Sequence, residues 1–515
     1  MLRKLLRFLT GRLFISLVLI VVQLATLFLV LFYVQNNAVW FQILSGLSIV
    51  MTLVVVVRDL NPAYKIGWML LFMFFPVYGG IFYILFGNRR LNRRLRDRLE
   101  QLNVVYQKGV EGGSYSDLLP MRALASYSNT LSRQAQYIVN ITGYPVWSNT
   151  EVEYFPSGEA WVIDLLEELA KAKSFIFLEF FIVAEGEVWD AVLAVLLDRI
   201  RRGVRVCLMF DDAGSLFKLD SHFDTRLRAL GIEVVAFNPL RAHLNSRLNS
   251  RLNSRNHCKV VVIDGNIGYT GGVNLADEYA NRLLRFGHWK DTAVKLKGDA
   301  VWSLSQMFLQ LWAFSTGRSE NFAAHRPTIT AHTDGFVQPF SDNPLDDNNV
   351  AENAYIQIIS MAKRYVWITT PYLILDNEMI TALKIAAQSG VDVRIITPHI
   401  PDKKYVFAVT RSYYRVLLDA GVKIYEYTPG FLHAKMFVSD DRVAIIGTIN
   451  MDYRSFYLHF ENGVLFYGSS VVRKVYDDIE DTLAICRPID TEFLRTRKWY
   501  SRLVGIILRL AAPLL

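Results

Sequence analysis

Two long apolar runs open the chain. Leu13 to Val34 is interrupted mainly by Gln23, and Ala38 to Val57 follows after only Gln35, Asn36 and Asn37. Each reaches the ~20 residues a helix needs to cross about 30 Å of hydrocarbon. The pattern therefore predicts an N-terminal transmembrane helical hairpin, with helices over about 13–34 and 38–57. The first run is too long, and lacks the small-residue cleavage site, of a removable leader. A third segment, Ile66 to Phe86, is apolar and aromatic but carries Pro76 in its middle and Gly79-Gly80 beyond it. Proline interrupts helix hydrogen bonding, so this segment reads as re-entrant or as a third hydrophobic segment.

Past residue 135 or so the pattern changes. Short β-rich apolar runs alternate with helical stretches, which implies α/β units around buried sheets. The units come in two related halves. Ala172-Lys173-Ser174-Phe175-Ile176-Phe177-Leu178-Glu179 answers to Ala362-Lys363-Arg364-Tyr365-Val366-Trp367-Ile368-Thr369. Gly203-Val204-Arg205-Val206 answers to Gly390-Val391-Asp392-Val393, and Ala229-Leu230-Gly231-Ile232 to Asp419-Ala420-Gly421-Val422. The expected organisation is a membrane anchor over 1–100, a linker over 101–135, an α/β domain over 136–320, a connector over 321–350 and a second α/β domain over 351–498. A C-terminal amphipathic helix closes the chain over 499–515. There Arg502, Leu503, Ile506, Ile507, Arg509, Leu510 and Leu514 gather apolar residues on one face, as in an interfacial helix. Packing of that face on the preceding domain is the alternative. Leu244 to Asn256 repeats the tetrapeptide LNSR, which reads as a tolerated loop insertion or as extra arginines for headgroups.

Composition supports a membrane setting. Hydrophobic residues make up 52% of the chain and mean hydropathy is +0.22. The net charge of +8 suits either nucleic acid or an anionic membrane surface. Position decides between them: Arg89, Arg90, Arg93, Arg94, Arg96 and Arg98 directly follow the third apolar segment, and Arg3, Lys4, Arg7 and Arg12 precede the first. With Arg58 and Lys65 between the second and third segments, all three basic clusters favour the cytoplasmic side. Two spans plus a non-spanning third segment satisfy them, which predicts a multi-pass membrane protein with its catalytic domains on the cytoplasmic face. Cys207, Cys258 and Cys486 form neither a disulfide framework nor a zinc spacing.

The chemistry is concentrated in a doubled motif. His257-Cys258-Lys259 is followed by Val260–Ile263 and Asp264, then by Gly271-Gly272-Val273-Asn274. His433-Ala434-Lys435 is followed by Met436–Ser439 and Asp440, then by Gly447-Thr448-Ile449-Asn450. On a strand, residues i and i+2 share a face, so each His would project with its Lys. Displacement at phosphorus needs a nucleophile, an acid for the leaving alkoxide, and cations and donors around the non-bridging oxygens. Two His supply the first two, Lys259 and Lys435 the charge, Asn274 and Asn450 the hydrogen bonds, and no metal or other cofactor is required. Each His needs an orienting acid. Asp291, in His288-Trp289-Lys290-Asp291, and Glu461, in Phe460-Glu461-Asn462-Gly463, are the candidates to hold His257 and His433. Asp264 and Asp440 complete the motifs but sit in turns, where they are expected to stabilise the local fold.

The paired HxK-x4-D-x6-G-x-x-N motifs resemble those of the phospholipase D superfamily, and within it the chain is most similar to bacterial cardiolipin synthases. Further segments carry the likeness: Asn61-Pro62-Ala63-Tyr64-Lys65 with Pro76 and Gly79, Asp277-Glu278-Tyr279, Thr370-Pro371-Tyr372, Arg411-Ser412-Tyr413-Tyr414, and Tyr425 to His433. Gly272 and Thr448 depart from it, standing where many members have Ser. The resemblance implies two tandem phospholipase D-like α/β domains forming one active site at their interface, with His257, Lys259, Asp264, His433, Lys435 and Asp440 as catalytic residues. It also implies a phosphatidyl transfer from one phosphatidylglycerol to another through a phosphohistidine, giving cardiolipin and glycerol. By similarity His257 is the nucleophile and His433 the acid/base; the residues alone leave the reverse open. Partners would be membrane phosphatidylglycerol and cardiolipin rather than nucleic acid, with a homo-oligomer left open. A phosphatidylserine synthase or hydrolytic phospholipase D would use the same residues, and a non-enzymatic scaffold would be expected only if one motif were degraded.

Overall fold

A computed structural model describes residues 38–58, 61–86, 101, 118–239, 254–496, 499–510 and 512, apart from 217, 221, 319, 333–334 and 345–347. The expected first span, the arginines at 89–98 and most of the LNSR repeat lie outside the described residues. The chain forms two compact units that divide at Arg89 and Arg90.

The first unit holds α1 (Ala38–Val57), α2 (Pro62–Phe74) and α3 (Pro76–Phe86). Asn61 caps α2 by accepting from the Ala63 amide at 3.0 Å, with Pro62 at the first helical position, where its missing N–H costs nothing. Pro76 then ends the helix, because the residue before a proline is driven out of the helical region; Phe75 has φ −145°. The third apolar segment is thus two short helices, neither of which at 1.5 Å per residue covers 30 Å. Val55, Tyr64, Trp68, Phe72 and Tyr83 form a small aromatic core, with Trp68 and Tyr83 edge to face at 4.9 Å. Gly79 is required there, since a Cβ would lie 2.9 Å from the Leu71 carbonyl oxygen. Helix α1 covers the second expected span and exposes Ile49, Val50, Leu53 and Val54, although the side chains of its first four residues are not described. Among the described residues, no helix is long and apolar enough to cross a membrane.

The second unit is built on two mixed sheets. The first runs in the order β1 (Thr150–Phe155), β9 (Ala293–Gly298), β7 (Ile267–Gly271), β6 (Val260–Ile263), β2 (Phe175–Phe180), β3 (Arg205–Asp211) and β4 (Glu233–Phe237). The second runs β10 (Phe336–Asp342), β17 (His459–Tyr467), β16 (Val443–Gly447), β15 (Met436–Ser439), β11 (Tyr365–Thr369), β12 (Asp392–Pro398) and β13 (Lys423–Tyr427), with β18 (Cys486–Ile489) added at the edge. The first seven strands of each repeat the same order, which is the structural form of the internal repeat. Of the parallel strands, β2 and β3 are buried on both faces, hence their largely apolar character, while β4 at the sheet edge is partly exposed.

Helices cover both faces. In the first half α4 (Gly158–Leu169) and α5 (Glu187–Arg201) pack into one core with Ile176, Leu178 and Leu208. On the other face, α6 (Val301–Thr316) stacks Phe308 on Phe177 at 4.5 Å. In the second half Tyr355 of α7 (Val350–Met361) stacks on Phe437 at 3.9 Å, and Tyr476 of α10 (Ser470–Ala484) stacks on Trp367 at 4.5 Å. Between them in the chain come α8 (Asn377–Gln388) and α9 (Lys404–Leu418). The terminal helix α11 (Trp499–Leu510) rests on α9, with Arg509 over the Tyr413 ring at 4.0 Å. It nonetheless leaves Trp499, Leu503, Val504, Ile506 and Ile507 exposed.

Candidate active site

Each motif begins on a strand that belongs to the other half. Strand β5 (Arg255–Asn256) pairs with His459 and Phe460 of β17, and the His257 amide donates to the Phe460 carbonyl at 2.9 Å. Likewise β14 (Gly430–Leu432) pairs with β8 (His288–Lys290), and the His433 amide donates to the Lys290 carbonyl at 2.7 Å. His257 to Lys259 and His433 to Lys435 are therefore crossovers between these short pairings and the central strands β6 and β15. This corrects the expectation of a motif lying within one strand. The backbone amides of the motif are claimed by the partner half before the strand enters its own sheet.

The exchange also crosses the acids. Glu461 Oε2 lies 2.9 Å from His257 Nδ1, and Asp291 Oδ2 lies 2.6 Å from His433 Nδ1. Taken in chain order, Asp291 with His257 and Glu461 with His433 is corrected: each histidine is held by the carboxylate of the opposite half. All four groups are buried. A carboxylate at Nδ1 draws the ring proton there and leaves Nε2 with its lone pair. Lys259 Nζ donates to the His257 carbonyl at 2.7 Å, and Lys435 Nζ sits 2.8 Å from His433 Nδ1 while also bonding the His433 carbonyl.

The halves differ in how each acid is supported. Thr448 donates its hydroxyl to Glu461 Oε2. The matching position beside the shorter acid is Gly272, where a Cβ would stand 2.0 Å from Asp291 Oδ1. Two residues before each acid stands an aromatic ring: Trp289 Nε1 donates to Asp291 Oδ2 at 3.5 Å, while His459 Nδ1 lies 3.6 Å from Glu461 Oε1, these last two atoms both buried without a hydrogen-bond partner. Arg454 Nε donates to His459 Nε2 at 3.2 Å, which places the His459 proton on Nδ1. Sequence reasoning missed His459, although the i, i+2 alternation of a strand puts it on the Glu461 face. His257, His459 and Glu461 bring their ligand-type atoms within 4.8 Å of one another. Lys259 and Arg454 beside them oppose a cation at that point.

Asp264 and Asp440 are not part of this constellation. Asp264 accepts from the amides of Lys173, Ser174 and Phe175 at 2.7–3.0 Å, and Asp440 from those of Lys363, Arg364 and Tyr365 at 2.7–3.0 Å. Both occupy left-handed backbone, at φ 53° and 54°, a region Asp tolerates in turns. They close the far ends of β6 and β15. Asn274 and Asn450 each stand just past their glycine turn and are buried. Asn274 Oδ1 accepts from the Ile182 amide at 2.9 Å, whereas its Nδ2 and the Asn450 Oδ1 are buried without a hydrogen-bond partner. Buried amide atoms left open cost free energy and mark a place for a polar ligand.

Charge is frustrated throughout. Burial pushes His257 well below the usual imidazole range, helped by Lys259, Lys435 and His433. Burial and Lys435 take His433 down to about 4, against the opposing pull of Asp291. Burial lowers Lys259 to about 8 and Lys435 to about 7. Asp291 is raised by burial, but His433 and Lys435 more than offset this and hold it low. Four cationic or protonatable groups sharing one dry volume are poised to receive an anion, whose arrival reverses every one of these penalties.

Comparison with known proteins agrees with this reading. A family model described as "Cardiolipin synthase, PLD-like domain" matches residues 165–312 and 355–483. The chain belongs to the cardiolipin synthase family of phospholipase D-like proteins. A second model, "Phospholipase_D-nuclease N-terminal", matches residues 47–88. The chain is 37% identical over 482 residues to a cardiolipin synthase of Geobacillus kaustophilus, covering 92% of this chain and 94% of that one. It is 34% identical over 479 residues to the cardiolipin synthase of Halalkalibacterium halodurans, covering 92% and 94%. An uncharacterized protein of Streptococcus mutans is 41% identical over 459 residues, covering 87% and 96%. Among solved structures, the phosphatidylserine synthase of Haemophilus influenzae shares the fold at a TM-score of 0.58 and 14% identity, covering 74% of this chain and 97% of that one. Membership in the family makes this protein a phosphatidyltransferase of the phospholipase D type.

Proposed function

We propose that the protein joins two phosphatidylglycerol molecules into cardiolipin and glycerol at the shared site. The observation that carries this is the crossed pair of His–carboxylate contacts at Nδ1, which leave Nε2 of each ring for chemistry, with a lysine bonded to the carbonyl of each histidine. Lys259, Lys435, Asn274 and Asn450 hold the non-bridging oxygens of the first lipid's phosphate. His257 Nε2 attacks phosphorus as the P–O bond to the headgroup glycerol breaks. His433, carrying the proton on Nε2, gives it to that leaving oxygen. Neutral His433 then takes the proton of a second phosphatidylglycerol's free hydroxyl as its oxygen displaces His257 from phosphorus, restoring both residues. Glu461 and Asp291 fix the tautomers and offset the imidazolium charge. A site dry enough to favour a lipid hydroxyl over water suits the depth at which all these groups are buried.

In this reading the apolar N-terminal segments form a transmembrane hairpin in the bacterial cell membrane, with the two phospholipase D-like halves on the cytoplasmic face. The exposed apolar residues of α11 lie in the interface. The decisive experiment supplies phosphatidylglycerol vesicles without added metal to the purified protein, with His257→Ala and His433→Ala as comparisons. Cardiolipin and glycerol in equal amounts, lost in both variants, is the expected result. Phosphatidic acid in place of cardiolipin would make water the acceptor and refute synthase activity. Enzyme denatured at alkaline pH, where the N–P bond survives, should carry its phosphoryl label on His257; a label on His433 would reverse the two roles.

A further inference from the structure

A surface loop beside the site is built like a membrane-entry element. Asn281, in left-handed backbone at φ 52°, closes its neck by bonding Trp289 twice: the Trp289 amide donates to Asn281 Oδ1 at 2.7 Å, and Asn281 Nδ2 donates to the Trp289 carbonyl at 2.9 Å. At the other side of the neck Gly287, at φ 71°, packs so closely that a Cβ would lie 2.4 Å from the Pro429 carbonyl oxygen. The enclosed sequence is Arg282-Leu283-Leu284-Arg285-Phe286. Leu283 is 54% exposed and Leu284 71% exposed, on a neck pinned by hydrogen bonds. Arg282 and Arg285 are exposed beside them and form no ion pair among the described residues.

The loop is tied to the core beside the site by ring contacts. The Arg285 guanidinium lies over Phe286 at 5.1 Å, the Phe286 ring is 6.3 Å from both Trp289 and Phe431, and the Trp289 ring is 5.2 Å from His433. Two bare leucines between two arginines without an ion pair match apolar groups seated among anionic headgroups, with cations at the headgroup level.

We infer that the Arg282–Phe286 loop inserts into an anionic bilayer and forms the lipid-facing lip of the active site. Leu283 and Leu284 enter the acyl layer, Arg282 and Arg285 bind headgroup phosphates, and Phe286 anchors the loop on the buried Trp289 and Phe431 that pack beside His433. The inference rests on the lipid-transfer reading and adds the point of entry.

The test uses the full-length protein in phosphatidylglycerol vesicles, with Cys486→Ser removing the half-buried thiol and an environment-sensitive fluorophore on Leu284→Cys. Lys171→Cys is the comparison; Lys171 lies just before the Lys173–Phe175 amides bound by Asp264, at the opposite end of the sheet from His257. The Leu284 label should shift to the blue and be quenched by lipids carrying a nitroxide on the acyl chain, while the Lys171 label should do neither. Equal, weak quenching at both positions would overturn the inference. So would a Leu284 label shielded from water but not quenched by the nitroxide lipids, which would indicate a protein partner. Leu283→Ser with Leu284→Ser should lower the ratio of turnover on bilayer to turnover on monomeric short-chain phosphatidylglycerol by about tenfold or more; an unchanged ratio would count against the loop. Cardiolipin measured in the same vesicles separates the two ideas. Quenching without cardiolipin would leave the loop standing and fail the synthase reading, and cardiolipin without quenching would do the reverse.

Discussion

Replacing Lys435 with methionine should stabilise the ligand-free protein at mildly acidic pH while abolishing turnover. Lys435 is buried, and its ammonium is lowered from 10.5 to about 7, chiefly by burial. For a lysine whose folded pKa is depressed, the unfolded chain holds more protons between the two values, so stability rises with pH from about 7 to 10.5. Below that window the charged ammonium is buried at its full cost, about 5 kcal/mol for a shift of this size. Methionine keeps the apolar stem and removes the charge. It also removes the bond to the His433 carbonyl, and leaving that oxygen open costs about 1–3 kcal/mol. The net gain at pH 6 is therefore about 2–4 kcal/mol, which raises the melting temperature by a few degrees. At pH 9 the remaining burial penalty of about 2 kcal/mol matches the lost bond, and the difference should fall close to zero. Thermal unfolding followed by tryptophan fluorescence in detergent, wild type beside Lys435→Met at both pH values, reads this directly. A variant that is less stable at pH 6, or a difference that does not change with pH, would refute the argument that the site holds buried, unreconciled positive charge for an anion.

The crossed acids give a second test: Asp291→Asn should move the NMR titration of His433 and leave that of His257 nearly in place, while Glu461→Gln should do the converse. Gly272→Ala should cost about 100-fold or more in turnover, because the new methyl displaces the carboxylate that orients His433; Thr448→Ser, which keeps the hydroxyl on Glu461, should retain most activity. Asp264→Asn should weaken the contacts to three backbone amides and lower stability by about 1–3 kcal/mol, with the turnover of correctly folded enzyme nearly unchanged. A loss of turnover without a loss of stability would return Asp264 to the chemistry. His459→Phe, which removes the ring nitrogen 3.6 Å from Glu461, should shift the acidic limb of the pH–rate profile; a profile of unchanged shape would make His459 a packing residue only.

Much of this protein is legible from one line of sequence, because periodicity and repetition are local properties. Alternating strand and helix patterns fixed the α/β class, and the matched spacing of His257–Asn274 and His433–Asn450 tied two halves to one chemistry. Pro76 marked the break between α2 and α3 through a rule that acts on neighbouring residues alone. The turn positions of Asp264 and Asp440 likewise pointed to a structural task. What the sequence left undecided is everything that depends on contact between segments 142 to 204 residues apart. Which carboxylate meets which histidine follows from β5 and β14 pairing with the opposite half, and no spacing encodes that exchange. The different support of the two acids, Gly272 against Asp291 and Thr448 with His459 against Glu461, also exists only once the halves are docked. The same holds for the lysines: a Lys in a strand reads as an ordinary cation, and only burial beside another Lys and two His makes it one that an arriving phosphate would relieve.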